Sequence, residues 1–244
     1  MSAPPRASPL IFSASLGAAR RVRHGFYGRR DDADDSLATE RQRVADDLGA
    51  AMLFSNRQVH GDRVRVIEVG CDADEVFDGD GLVTRAPGVA LGVLSADCAP
   101  VLFADASAAV IGAAHAGWRG ALLGVTDAVI ARMTDLGARP RRIECAIGPA
   151  IQARSYRVGA QLRRRFEADS PLPCACCFDA ADEDDGDGAY RFDLPRYLRL
   201  RLARAGVGAV DALAADTFAD PARFFSYRRE PANPGRQISA IALA

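Results

Sequence analysis

The sequence predicts a single α/β or α+β domain built on a mixed sheet, and three observations carry that expectation. Short apolar runs rich in Val, Ile and Leu at 64–69, 89–94, 101–104, 109–114 and 143–147 are closed by Gly, Asp or Pro, as buried strands are. They alternate with helical patterns only in places, which disfavours a regular series of βαβ units. No internal repeat or linker divides residues 1–244, so one domain is expected across all of them.

Along the chain, the apolar patch of Leu10, Ile11, Phe12 and Leu16 after Arg6 faintly imitates a signal peptide. Ser13, Ser15 and Gly17 break it, and it reads as a first strand with its lead-in. Helices are expected at 36–50, 158–168 and 194–205. A further helix follows Gly120, where Leu122, Leu123, Val125, Val129, Ile130 and Met133 recur at near-helical spacing until Gly137 and Pro140 stop it. The acidic stretch from Asp179 to Gly188 reads as a solvated loop, because the ligand spacing of a calcium-binding EF-hand cannot be threaded through it. Pro173, Cys174 and Cys177 spell half of the zinc deaminase signature. None of His24, His60 and His115 has the Glu two residues later that such enzymes use, so Cys174 to Cys177 read as a surface thiol cluster.

Composition narrows the function. The 244 residues are 49% hydrophobic and 26% charged, with 31 basic against 32 acidic side chains and a net charge of -1. That balance provides no field to steer nucleic acid or acidic lipid. All the basic residues are Arg; the absence of Lys removes Schiff-base and P-loop chemistry. No apolar run approaches the roughly 18–20 residues of a membrane span, so a transmembrane role is not expected. Six unevenly spaced cysteines in a chain this long argue against a disulfide scaffold and for the cytoplasm. No obligate protein partner is evident.

The chemistry concentrates at three strand ends, where sites are commonly built. His60 lies in Asn56-Arg57-Gln58-Val59-His60-Gly61 before a strand, and His115 in Ala114-His115-Ala116-Gly117-Trp118-Arg119-Gly120 between a strand and a helix. Cys98 sits in the polar break Ser95-Ala96-Asp97-Cys98-Ala99-Pro100 between two strands. Two imidazoles and a thiolate converging there would form a catalytic zinc set with an open fourth position, although their separations do not match the tight pairs of zinc fingers. The same residues also suit a cysteine hydrolase, with Cys98 as nucleophile, His115 as base and Asp97 as orienter, which leaves His60 without a role. A buried thiol and hydrogen-bonded imidazoles are the bland alternative. Arg57, Arg119, Arg228, Arg229 and Arg236 lie near these segments or in late aromatic ones, and planar guanidinium groups suit phosphate or carboxylate.

Taken together, RQVHG at 57–61, DGLVT at 80–84, ADCAPVLF at 96–103, AHAGWRG at 114–120, IGPAI at 147–151 and FFSYRR at 224–229 with Gly235-Arg236 resemble the YfiH-type laccase-domain family. That family is also labelled polyphenol oxidase, peptidoglycan editing factor or purine nucleoside phosphorylase. The resemblance implies an α+β single domain layered α/β/β/α with mixed sheets, and a zinc site whose ligands are His60, Cys98 and His115. It implies phosphorolysis of adenosine, inosine, guanosine and methylthioadenosine, with adenosine deamination as a second activity. Arg57, Gln58, Arg119, Arg228 and Arg29 become the candidate substrate or phosphate contacts, and Asp97 and Asp62 the candidate proton handlers. Around Arg29 the chain departs from the family, which carries Thr-Arg and Gly-Gly-x-Ser where this chain has Tyr27-Gly28-Arg29-Arg30 and an acidic run. Copper is the alternative metal, since it outcompetes zinc at nitrogen and sulfur ligands, but three histidines are too few for a multicopper cluster. The alternatives carried forward are a Cys98/His115 hydrolase or amidase acting on peptidoglycan precursors, a copper-dependent polyphenol oxidase, and a non-catalytic metal-binding module.

Overall fold

Strands in which every residue is buried, such as β7 (Ala99–Asp105), β8 (Val110–Ala116) and β14 (Gln237–Leu243), must be covered on both faces. A computed structural model, which describes residues 10–17, 21–29, 36–181, 189–232 and 235–243, shows how. One sheet runs β1 (Leu10–Ile11), β2 (Val22–Tyr27), β14, β6 (Val89–Ser95), β3 (Met52–Phe54). A second runs β13 (Ala209–Ala212), β9 (Glu144–Ile147), β7, β8, β5 (Gly81–Thr84), β4 (Val64–Ile67). Both are mixed: β3 with β6, β4 with β5 and β9 with β13 pair parallel, the other neighbours antiparallel.

Period-two alternation sorts the side chains into three apolar layers. Leu102 and Ala104 of β7, Ile111 and Ala113 of β8, Leu91 and Val93 of β6 and Ile241 and Leu243 of β14 pack between the sheets. Their neighbours Val101, Phe103, Val110 and Ala114 face Val125, Val129, Ile130 and Met133 of a helix outside the second sheet. Ile238, Ala240 and Ala242 face Val44, Ala45 and Leu48 at α2 (Leu37–Asp47) outside the first. The order α/β/β/α follows. A small third sheet, β10 (Arg157–Gly159), β12 (Ala189–Phe192), β11 (Phe178–Ala180), lies with α5 (Ala160–Asp169) beside the outer helices.

The expected strands appear within two residues of their predicted ends, and three of the four expected helices appear as α2, α5 and α6 (Leu194–Arg204). Two elements differ. The first apolar patch is a two-residue strand followed by α1 (Ala14–Gly17), because Ser13 turns the chain: its Oγ accepts from Leu16 N while its own N–H goes to His24 Nε2 at 2.9 Å. The helix after Gly120 is two helices, α3 (Trp118–Leu123) and α4 (Val125–Asp135), broken at Gly124 in the left-handed region (φ 102°). Buried Arg201 of α6 holds the break: it donates to the carbonyls of Ala121 and Leu122 at 3.1 and 2.9 Å and pairs with Asp127 at 2.7 Å. A side chain at position 124 would meet that guanidinium.

The thiol cluster is also corrected. Cys174 and Cys177 are buried in the outer apolar layer and only Cys176 is exposed; burial pushes the Cys177 thiol up to about 12. All six cysteines are free thiols. Residues 182–188, most of the acidic stretch, lie outside the described residues. Among the described residues no helix is long and apolar enough to cross a membrane.

Candidate metal centre

The two sheets meet at the site. β6 belongs to the first sheet and β7 to the second, and the chain crosses between them at Ala96-Asp97-Cys98. Asp97 takes the left-handed region at φ 85°, an unusual backbone state for a side-chain-bearing residue. Hydrogen bonds over-determine it. Its Oδ1 accepts from Thr217 Oγ1 at 2.7 Å, its Oδ2 from Ser226 Oγ at 2.9 Å and Arg228 N at 2.7 Å, and its carbonyl from Ile151 N at 3.0 Å. Asp97 thereby fixes Cys98 and ties the FFSYRR loop to the crossing.

His115 is the penultimate residue of β8, opposite Pro100 of β7. His60 stands in the loop before β4, also left-handed at φ 60°. One carboxylate positions both. Asp80, fully buried just before β5, accepts from His115 Nδ1 at 2.8 Å and His60 N at 3.0 Å on Oδ1, and from Val59 N at 3.1 Å and Gly61 N at 2.7 Å on Oδ2. This leaves Nε2 of His115 as its ligand atom.

His60, Cys98 and His115 each offer a ligand atom within 4.8 Å of the other two, and Cys98 Sγ lies 3.9 Å from His60 Nε2. Ligands on tetrahedral zinc stand about 3.3–3.6 Å apart at ordinary Zn–S and Zn–N lengths, so Cys98 and His60 need to close by only a few tenths of an ångström and the widest-set pair by about an ångström. The donors suit zinc, and an outer carboxylate on the imidazole is the arrangement that fixes the tautomer of a metal-bound histidine. Burial raises the Cys98 thiol, but its charge and hydrogen-bond interactions with His115, and to a lesser extent with His60, outweigh it and bring it down to about 6. Burial likewise lowers His115, yet the Cys98 thiolate and Asp80 lift it to about 9. Both shifts run toward the thiolate and imidazolium pair, and a cation held there would take the place of the proton.

Gly117 explains a glycine in AHAGWRG. A Cβ there would lie 2.8 Å from Cys98 Sγ and 3.1 Å from His60 Cδ2. Gly117→Ala is expected to spread two ligands apart and lower zinc affinity about tenfold or more, on the scale of a lost outer-shell contact, while the far-ultraviolet circular dichroism stays that of the wild type. Equilibrium zinc competition with a chromophoric chelator checks it; unchanged affinity would show that the ligands can yield.

The triad opens onto a cavity of ≈ 1000 Å³. Of the sequence-predicted contacts, Arg57, Gln58 and Arg228 line it, whereas Arg119, Arg29 and Asp62 are not among its lining residues. Arg57 is held bidentate by Asp78, the Gln58 amide bonds both backbone groups of Leu94 at 2.7 and 2.8 Å, and Arg228 donates to the Arg157 carbonyl at 2.9 Å. Arg119 is exposed on α3, Asp62 is exposed, and Arg29 pairs with Glu230 at 3.3 Å above the Phe225 ring. Arg229 is spent on carbonyls of Thr217, Phe218 and Phe224. Sequence reasoning missed Asp80, Thr217, Ser226, Tyr156 and Arg41. For Asp80 a signal existed, since DGLVT begins with it. His24 lies apart, its ring between Phe12 and Phe26 and its pKa lowered by burial against the pull of Asp211.

Two packed mixed sheets carrying a His/Cys/His centre at their crossing define a class of protein, and comparison identifies it. Residues 23–244 match the family model described as multi-copper polyphenol oxidoreductase laccase, and the chain belongs to that family. A purine nucleoside phosphorylase of Deinococcus radiodurans is 36% identical over 247 residues, covering 100% of this chain and 92% of that protein. One from Corynebacterium glutamicum is 34% identical, covering 98% and 96%. Among solved structures, the Bacillus licheniformis hypothetical protein YfiH superposes with TM-score 0.81 at 28% identity, covering 91% of this chain and 93% of its own. A Neisseria meningitidis protein superposes with TM-score 0.77 at 32% identity, covering 92% and 95%.

Proposed function

We propose that this protein is a zinc-dependent purine nucleoside phosphorylase, converting adenosine, inosine, guanosine or methylthioadenosine and phosphate to base and ribose 1-phosphate, with adenosine deamination as a second activity. The observation that carries the reading is the His60, Cys98, His115 triad at the wall of a cavity large enough for a nucleoside and phosphate together. The printed function of relatives spanning nearly the whole chain supports it.

Phosphorolysis joins a phosphate oxygen to the anomeric carbon of the sugar as the bond to the purine nitrogen breaks, through a centre with oxocarbenium character. The enzyme gains most from proximity and from charge placed where charge develops. His60, Cys98 and His115 would hold a divalent cation, which when bound would supply Lewis acidity toward an oxygen of phosphate, or of water for the deamination. The chain's own residues do the positioning. Tyr156, Trp118 and Tyr227 line the cavity and offer apolar faces to a purine, and Arg228 adds a cation beside Tyr156, 5.4 Å from its ring centroid. Asp97 keeps Cys98 and the 217–228 loop in place. With both its oxygens occupied, and Asp62 outside the cavity wall, the reading gives the proton transfer to neither.

One observation favours a second reading: a Cys98 thiol held near 6 beside His115 is a ready nucleophile, as a cysteine hydrolase or amidase on peptidoglycan precursors needs. Incubating the metal-assayed protein with adenosine, with and without phosphate, and resolving adenine, inosine and ribose 1-phosphate tests the first. Phosphate-dependent adenine release in proportion to zinc content is expected. Inert nucleosides with zinc-loaded protein would overturn it, and inactivation by iodoacetamide without metal loss would transfer the assignment to the hydrolase.

A further inference from the structure

The cavity has a second set of polar lining groups that the His60, Cys98, His115 triad does not include. Of the seven buried side-chain nitrogen and oxygen atoms that lack a hydrogen-bond partner among the described residues, four belong to residues lining this cavity: Arg41 Nε, Ser55 Oγ, Asn56 Oδ1 and Ser95 Oγ. Orphaned buried polar atoms are costly, and their gathering at one cavity is a reason to look for a ligand. Topology explains it. Ser55 and Asn56 follow β3, and Ser95 ends β6, which pairs parallel with β3; Arg236 immediately precedes β14, whose Gln237 lies opposite Ser95. Arg41 projects from α2, which packs against this same sheet. The first sheet therefore delivers these groups, while the second sheet and its loops deliver His115 and His60.

Charge distinguishes this set. Four arginines line the cavity, and two are engaged: Arg57 with Asp78, and Arg228 with the Arg157 carbonyl. Arg41 and Arg236 make no ion pair and no side-chain hydrogen bond among the described residues. Of the carboxylates in the wall, Asp97 is saturated by three donors and Glu75 is paired with Arg65, leaving exposed Asp74. Two guanidinium groups without an ion pair among the described residues, together with two serine hydroxyls, are a donor set for an oxyanion that offers several acceptor oxygens, and Asn56 Oδ1 is an acceptor for a hydroxyl that arrives with it.

We propose that Arg41 and Arg236, with the hydroxyls of Ser55 and Ser95, form a subsite for a phosphate group, carried either by inorganic phosphate or as the 5′-phosphate of a nucleotide. What the anion does there rests on the phosphorylase reading; the subsite itself does not.

Isothermal titration of the zinc-loaded full chain with inorganic phosphate alone, and separately with AMP and adenosine, tests it. Arg236→Gln alters an exposed residue and Arg41→Gln one on a helix, so the first keeps the test valid if the second fails to fold. Each substitution is expected to weaken phosphate binding about tenfold or more, the effect of losing a charge-assisted hydrogen bond, with zinc content unchanged. Arg41→Lys should recover part of the loss. In turnover, the KM for phosphate should rise by a similar factor while that for adenosine moves less than about threefold. Arginine-dependent binding of AMP with inorganic phosphate silent assigns the group to a nucleotide. Arginine-dependent phosphate binding with no phosphorolysis would keep the subsite and overturn the phosphorylase. Phosphorolysis with an unaltered phosphate KM in both variants, or phosphate and AMP binding indifferent to both arginines, would overturn the subsite.

Discussion

Cys98→Ser is expected to remove zinc and nucleoside turnover together. A thiolate carries the charge that makes this site attractive to a divalent cation, and the two imidazoles beside it stabilise it as an anion against the opposing effect of burial. A serine hydroxyl stays neutral there and is a far poorer zinc ligand. The loss should exceed the roughly 10–100-fold typical of an outer-shell partner, because the bond itself is removed. Folding should survive, since the crossing is held by the contacts of Asp97 with Thr217, Ser226, Arg228 and Ile151 rather than by the sulfur. Zinc stoichiometry by elemental analysis, run beside the adenosine assay and a thermal melt, reads all three. Turnover without zinc would sink the mechanism. Zinc retained with turnover lost would instead point to the sulfur as a nucleophile.

The difference between what the chain announces and what it conceals lies in range. His60, Cys98 and His115 are each marked locally, by glycine-bounded motifs at strand ends, and their convergence follows once the motifs are seen as one family's set. The strands β4, β6, β7, β8 and β9 announce themselves because short, mainly apolar runs containing Val, Ile or Leu stand between turn residues. β14 does not: Gln237-Ile238-Ser239-Ala240-Ile241-Ala242-Leu243 mixes small and polar residues, and only its central place between β2 and β6 explains their burial. Gly124 looked like one glycine within a helix because the residue that breaks the helix there, Arg201, comes from α6. The placement of the arginines has the same long-range origin. Arg119 and Arg29 carry the right chemistry, but whether a guanidinium faces a cavity or a surface carboxylate is decided by partners far away in sequence.

Asp80 shows what such long-range positioning is worth, and Asp80→Asn is the substitution that isolates it. Its four acceptor contacts leave an amide no acceptable orientation. With the NH₂ at the Oδ2 position, two backbone N–H groups of Val59 and Gly61 face a donor and the His60 loop loses its anchor. With the NH₂ at the Oδ1 position, His115 Nδ1 must accept rather than donate, which moves the proton to Nε2 and blocks the nitrogen that would bind the metal. Either way zinc affinity should fall about 10–100-fold, as it does for other outer-shell carboxylates on metal-bound histidines. Leaving a buried donor unsatisfied should also destabilise the fold by about 1–3 kcal/mol. Chelator competition gives the affinity, and nitrogen-15 chemical shifts of the His115 ring give the tautomer, which a merely structural role for Asp80 would leave unchanged. Saturating zinc should restore much of the turnover if the ligands reassemble. If affinity and tautomer both match the wild type, the three backbone contacts alone account for this carboxylate.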